Sequence, residues 1–322
     1  MKYIYKVGGL LAISGVFFTS NVFAQGGVEE IIATERARQI ARQISGNVSN
    51  RILNQISAPE EAQQNALLSE QQNPMAASSD GNSYLPDSVW ATTSWTEISD
   101  DNISVNVDAD VYQVTGGIDK RFGDVFVGLS TTYAYTETEI GGIGSQGDTH
   151  TVSVTPYAAF VLTDNFFISG LTSYSYSRTE PDIAFGNFDS DTDDYTSELT
   201  FNAVNAVNDW FFKGKTGFRY RHSDVYNDVS AFQPADNDSD DWTYLVDAEV
   251  GYSFGHGIRG FAGALYEYTE TENGEDDGVM YMSTGIDYTV SNDLSVGIKY
   301  STDVNNEDID IHTVGLNLRL AL

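Results

Sequence analysis

The chain has four histidines, at positions 150, 222, 256 and 312. His222-Ser223-Asp224 sets a base, a hydroxyl and a carboxylate side by side, the ingredients of a surface hydrolase or protease dyad. Such chemistry needs the base held by an orienting group and aimed at a nucleophile or water. Neighbours in a polar stretch supply no such aim, so no catalytic residue and no enzyme are expected. Acids crowd three other stretches: Glu180, Asp182, Asp189, Asp191, Asp193 and Asp194; Asp224, Asp228, Asp236, Asp238, Asp240 and Asp241; and Glu270, Glu272, Glu275, Asp276 and Asp277. Hard divalent cations want several oxygens, so cation binding is one reading of them. None has calcium-hand spacing, and a solvated charged surface is the favoured reading. No cofactor is expected. Lys213, Lys215, Arg219 and Arg221 sit at even spacings, with Gly217 between the two pairs, which puts all four on one face of an extended segment. They would line an anion-selective pore, or they would pair with Asp247 and Glu249 of the following segment or with Glu29, Glu30 and Glu35 near the start. Pairing is favoured.

The formal charge is −31, from 47 acids and 16 bases. Binding phosphate needs a basic face, so nucleic acid is excluded as a partner. There are no cysteines, hence no disulfide framework and no thiolate metal site. Mean hydropathy is −0.27, and beyond the first residues no apolar run is long enough for a membrane helix. A transmembrane β-barrel remains open, because only alternate residues of its strands face lipid.

Residues 1–24 read as a secretory signal peptide. Lys2 and Lys6 form its basic start, residues 7–18 its apolar core, and Val22-Phe23-Ala24 a cleavage site. An N-terminal helix is expected over 25–56, because Val28, Ile32, Ile40, Ile44, Val48, Ile52 and Ile56 recur at multiples of four. Residues 57–87, with Pro59, Pro74 and Pro86, read as a linker. From Ser88 to Leu322 the period is two. Trp242, Tyr244, Val246, Ala248 and Val250 alternate with Thr243, Asp247 and Glu249, only Leu245 breaking the polar face. Twelve antiparallel strands are expected at 88–98, 104–120, 125–138, 149–163, 166–178, 194–207, 210–222, 242–254, 258–270, 279–290, 294–302 and 310–322. The fold class is therefore an all-β transmembrane barrel preceded by one N-terminal α-helix. Short connections alternate with longer ones, as periplasmic turns do with surface loops. Tyr133, Tyr135, Tyr174, Tyr176, Phe218, Tyr220, Tyr266, Tyr268 and Tyr300 end strands before long loops. Phe126, Phe160, Phe166, Phe167, Trp210, Phe212, Tyr252, Phe254 and Tyr288 flank the short turns, which suggests two interfacial girdles. Val314, Leu316, Leu318, Leu320 and Leu322 form an apolar row in the last strand.

Taken together, the chain resembles the autotransporter translocator domains. Tyr84-Leu85-Pro86-Asp87-Ser88-Val89-Trp90 looks like the entry to their first strand. Gly116-Gly117-Ile118-Asp119-Lys120-Arg121-Phe122-Gly123-Asp124-Val125-Phe126-Val127-Gly128 resembles their second hairpin. The resemblance implies an outer-membrane anchor that exports or displays what precedes it. It also implies outer-membrane lipid and the barrel-assembly machinery as partners, and the C-terminal row as an assembly strand. The chain departs from the pattern in three ways. Residues 25–87 leave room only for a short helical segment, so a passenger-poor member is expected. The helix has Asn47, Asn50 and Asn54 but no Asn-Asn pair, and the last residue is Leu322 rather than an aromatic. The alternative is a small passive pore or surface-adhesion barrel with the helix outside it. On the leading reading the helix partly plugs the lumen.

Overall fold

The computed structural model describes residues 37–48, 86–100, 107–141, 145–182, 190–227, 237–271, 276–291, 293–304 and 309–322. The signal peptide and nearly all of the linker lie outside these, as does the helix on either side of 37–48. The chain divides into two compact units, Met1–Gln39 and Ile40–Leu322; the second holds the barrel and the helix from Ile40 onward. No described helix is long and apolar enough to cross a membrane.

One helix, α1, covers residues 37–48. The strands are β1 (Ser88–Asp100), β2 (Val107–Phe122), β3 (Val125–Ile140), β4 (Ser145–Thr163), β5 (Phe166–Asp182) and β6 (Ser190–Val207). They continue as β7 (Trp210–Asn227), β8 (Asn237–Gly255), β9 (Ile258–Thr271), β10 (Asp277–Thr289), β11 (Leu294–Asp303) and β12 (Ile309–Ala321). Each pairs antiparallel with its neighbours in sequence, and β1 pairs with β12, so the sheet is a closed barrel. Closure leaves no open edge, which a sheet in lipid requires. The tight turns are built from residues that tolerate positive φ: Asn208 lies at 55°, and Gly255, His256 and Gly257 at 79°, 54° and 78°.

All twelve expected strands are present, but several rise higher than expected at the long-loop end. β4 begins at Ser145, β6 at Ser190 and β8 at Asn237, where the sequence pointed to 149, 194 and 242. Aspartates are poor strand formers and made these ends look like loop, yet β6 carries Asp191 and Asp193, and β8 carries Asp238 and Asp240, in unbroken ladders.

Alternation sorts the two faces. Outward stand Leu129, Leu199, Val246, Ile298 and their like, all exposed. Inward stand small polar residues that satisfy each other across strands: Thr151 with Ser177 at 2.8 Å, Ser153 with Ser175 at 2.7 Å and Ser169 with Thr200 at 2.7 Å. Four inward aromatics each lie against a glycine directly opposite: Trp90 on Gly117, Tyr157 on Gly128, Phe211 on Gly251 and Phe261 on Gly285. A Cβ at Gly251 would come within 1.8 Å of the Phe211 ring, so the glycine is the space the ring occupies. Near the short turns, Val48 of α1, Trp90, Phe126, Tyr157, Ala159, Phe167 and Val204 form an apolar cluster. Phe126 and Phe167 therefore leave the girdle to which the sequence assigned them. Each sits one residue out of phase with the lipid-facing row and points into the lumen.

Candidate functional site

The site is the inside of the barrel, where α1 meets the wall. Gln43 and Asn47, one helical turn apart, both face β1. Gln43 donates to Thr96 Oγ1 at 2.8 Å and accepts from Ser94 Oγ at 2.6 Å, and Asn47 donates to Thr92 Oγ1 at 2.9 Å. Other α1 side chains reach across to β6, β9 and β10. The Arg42 guanidinium bonds Glu267 at 2.6 Å and lies 3.9 Å above the Tyr281 ring, while Ser45 donates to Glu198 at 2.5 Å. Ile40, Ile44 and Val48 form the buried apolar stripe. Arg42 meets Glu267 near the long-loop end of β9, whereas Val48 packs with Phe126 and Phe167 beside the short turns. The N-terminal end of this helical stretch thus points to the long-loop mouth.

Glu198 and Glu267 are also joined through the wall. Arg219 of β7 bonds Glu198 at 2.9 Å and Glu267 at 3.2 Å, and the three side chains are only 3–5% exposed. Ser45, Glu198, Arg219, Glu267 and Arg42 so form a continuous polar path from helix to wall and back. Arg221 is held by Asp241 at 2.6 Å and Asp194 at 3.5 Å. Lys213 bonds Glu249 at 2.7 Å, and Lys215, also buried, is in register with Asp247.

Sequence reasoning missed Glu198 and Glu267 as partners of Arg219, and it set Asp241 in a loop and grouped Asp194, at the very start of a strand, with the loop acids. They are wall residues, placed inward by the same parity as their polar neighbours. Several other acids of the expected loops are strand residues that accept hydrogen bonds from outward tyrosines: Asp193 from Tyr174 at 2.6 Å, Asp191 from Tyr176 at 2.7 Å and Asp240 from Tyr220 at 2.7 Å. No group of His, Asp and Glu among the described residues converges as metal ligands do.

The His222-Ser223-Asp224 arrangement does not assemble. His222 and Asp224 share the outward face, with Nε2 at 3.3 Å from Asp224 and Nδ1 at 2.8 Å from Asp240. Ser223 falls on the inward face and is buried, so the strand backbone separates hydroxyl from imidazole. His150 and His312 likewise stack on and bond Tyr133 and Tyr300, at 2.8 and 3.0 Å. Of the residues proposed for the C-terminal assembly strand, Val314, Leu316, Leu318 and Leu320 lie on β12 and Leu322 directly follows it. Leu316, Leu318, Leu320 and Leu322 are exposed on the outward face, and Val314 precedes them in the same row.

The family description "Autotransporter beta-domain" matches residues 89–206. No curated protein matches the chain in sequence. Among solved structures, the translocator domain of autotransporter NalP from Neisseria meningitidis superposes with a TM-score of 0.62 at 15% identity, covering 81% of this chain and 98% of that one. The beta domain of the Bordetella autotransporter BrkA gives 0.62 at 15% identity, covering 74% and 100%. The transport unit of the autotransporter AIDA-I from Escherichia coli gives 0.55 at 11% identity, covering 80% and 97%. At these identities the structures speak to fold, and the family match is a likeness over residues 89–206. The chain is thus a closed twelve-stranded barrel with the fold of autotransporter translocator domains, and its first half of strands is similar to that family in sequence.

Proposed function

We propose that the barrel anchors and displays a short N-terminal helical segment, holding it in the lumen so that the residues before it emerge at the cell surface. The observation that carries this reading is the direction of α1. Arg42 engages the wall toward the long-loop mouth and Val48 seats among aromatics at the short-turn mouth. Short turns mark the periplasmic side of such barrels and long loops the outer side. A chain entering the lumen in this direction comes from outside, which is the geometry of export. An always-open passive pore fits less well, because the helix is bonded to several strands at once. Residues 1–24 act as the signal that brings the chain to the periplasm, and the barrel-assembly machinery inserts it, with the outward leucine row of β12 as the recognised strand. Lys213, Lys215, Arg219, Arg221, Asp247 and Glu249 serve as lumen-wall charges.

The natural absence of cysteine gives a direct test. Glu30→Cys should react with a membrane-impermeant maleimide on intact cells as readily as Asp276→Cys beside a long loop, while Asp209→Cys in a short turn should stay unlabelled. Labelling of Glu30→Cys only after the outer membrane is permeabilised would place the segment in the periplasm and remove the display reading.

A further inference from the structure

Charge on the lumen wall is unevenly spread along the barrel axis. Toward the periplasmic mouth bases and acids nearly cancel. Lys213 pairs with Glu249, Arg259 pairs with Asp287, and Lys215 stands in register with Asp247. Lys299 and Arg319 on the same face, against Asp119, leave that half slightly basic. Toward the outer mouth the balance tips the other way. Arg219 and Arg221 stand among Asp194, Glu198, Asp241 and Glu267, all with side chains no more than 9% exposed, and Asp303 lies inward above them. A further cation placed among these acids belongs to the helix: Arg42, on Glu267.

The hydroxyl-lined wall of β3 to β5 carries no inward charge among the described residues to offset this excess. A low-dielectric passage with a fixed excess of one sign concentrates the opposite ion, and acidic side chains around a pore select cations. We propose that the lumen becomes a cation-selective conduit when α1 leaves it, and that Arg42 both latches the helix and neutralises the charge that would select. This rests on the reading that α1 occupies the lumen in the working protein. It reverses what the basic row of β7 suggests alone, because that row is outnumbered by acids on β6, β8 and β9.

The test uses the full-length protein in planar bilayers under a KCl gradient, with the heat-dependent gel shift as the check of folding. Arg42→Ala removes the latch and leaves the charges of the wall itself unaltered. Open probability should rise on the order of 100-fold, as expected when one partner of a buried ion pair is deleted, and the reversal potential should carry the sign of K+ over Cl−. Adding Asp194→Asn and Glu198→Gln should then move the reversal potential toward zero. A Cl−-preferring or unselective open state, or one indifferent to those two substitutions, would overturn the proposal. So would a folded Arg42→Ala variant that stays closed; if Glu30→Cys still labels from outside, that result removes the latch and leaves the display reading standing. Should Arg42→Ala not fold, the reversal potential of spontaneous wild-type openings decides selectivity by the same sign.

Discussion

Arg219 and Arg178 are both arginines on barrel strands beside carboxylates, and the surroundings make their energetics differ. Arg178 meets Glu180 at 3.3 Å with side chains 48% and 60% exposed. Water screens that pair, which contributes about 0–1 kcal/mol. Arg219 is enclosed and is the shared partner of two equally enclosed carboxylates. Removing it leaves Glu198 and Glu267 with less compensation in a place where solvation is poor. A loss of about 3–5 kcal/mol is therefore expected for Arg219→Ala, against about 1 kcal/mol or less for Arg178→Ala. The midpoint of thermal unfolding, followed by the loss of the compact band on unheated gels, should fall strongly for the first and hardly for the second. Equal shifts would mean that the Arg219 network is hydrated in solution.

At the scale of the strand, adjacent residues meet opposite surroundings. Gly116 and Gly117 sit side by side in β2, but a Cβ at Gly116 comes no nearer than 3.9 Å to any atom, whereas one at Gly117 would fall 2.4 Å from the Trp90 ring. Gly117→Ala must displace Trp90, which is bonded to Tyr157 at 3.0 Å and packed in the apolar cluster. It should destabilise by about 1–3 kcal/mol, and Gly116→Ala should be close to neutral in the same assay. Period-two patterning made this strand, and the other eleven, legible in the sequence, because parity says which face each residue takes. Parity does not give height along the barrel or the stagger between strands. That is why Arg219 could be assigned to the polar face while Glu267, two strands away on β9, went unrecognised as its partner. The direction of α1 was equally hidden: an amphipathic stripe has a face but no stated polarity relative to a barrel. His222 shows the opposite case, where parity alone would have separated Ser223 from it. The same parity underlies a third expectation. Leu318 is 47% exposed on the outward face, and Arg or Lys on a lipid-facing surface costs about 2–4 kcal/mol at the midplane and less toward the short-turn end where Leu318 pairs with Val296. Leu318→Arg should reduce the amount of protein assembled in outer membranes. Asn317→Arg, on the inward face beside Asp287 and Gly297, should be milder. Equal defects would contradict the assignment of the two faces.

For the whole molecule, the question is whether the barrel depends on what fills it. Its wall is self-contained: every strand is paired on both sides, and β1 meets β12 over a continuous register from Ser88↔Ala321 to Asp100↔Ile309. The hydroxyl rows of β3 to β6 bond to each other rather than to the helix. Glu267 and Glu198 keep Arg219 when α1 is gone, though each loses its helix partner. The apolar cluster loses Val48, but its other members all belong to strands. Closure should thus outlast the plug. Deleting residues 25–56 after the signal should leave the heat-dependent gel shift intact and lower its midpoint by only several degrees, since a change of about 1 kcal/mol moves the midpoint of a protein this size by roughly 2–4 °C. Conductance should rise several-fold over the full-length protein, because a barrel of twelve strands is wider than one that side chains alone can fill. A deletion variant that fails to reach the membrane would show that the helix is needed to form the wall as well as to fill it. Unchanged conductance in a folded variant would show that the lumen is closed by something other than α1.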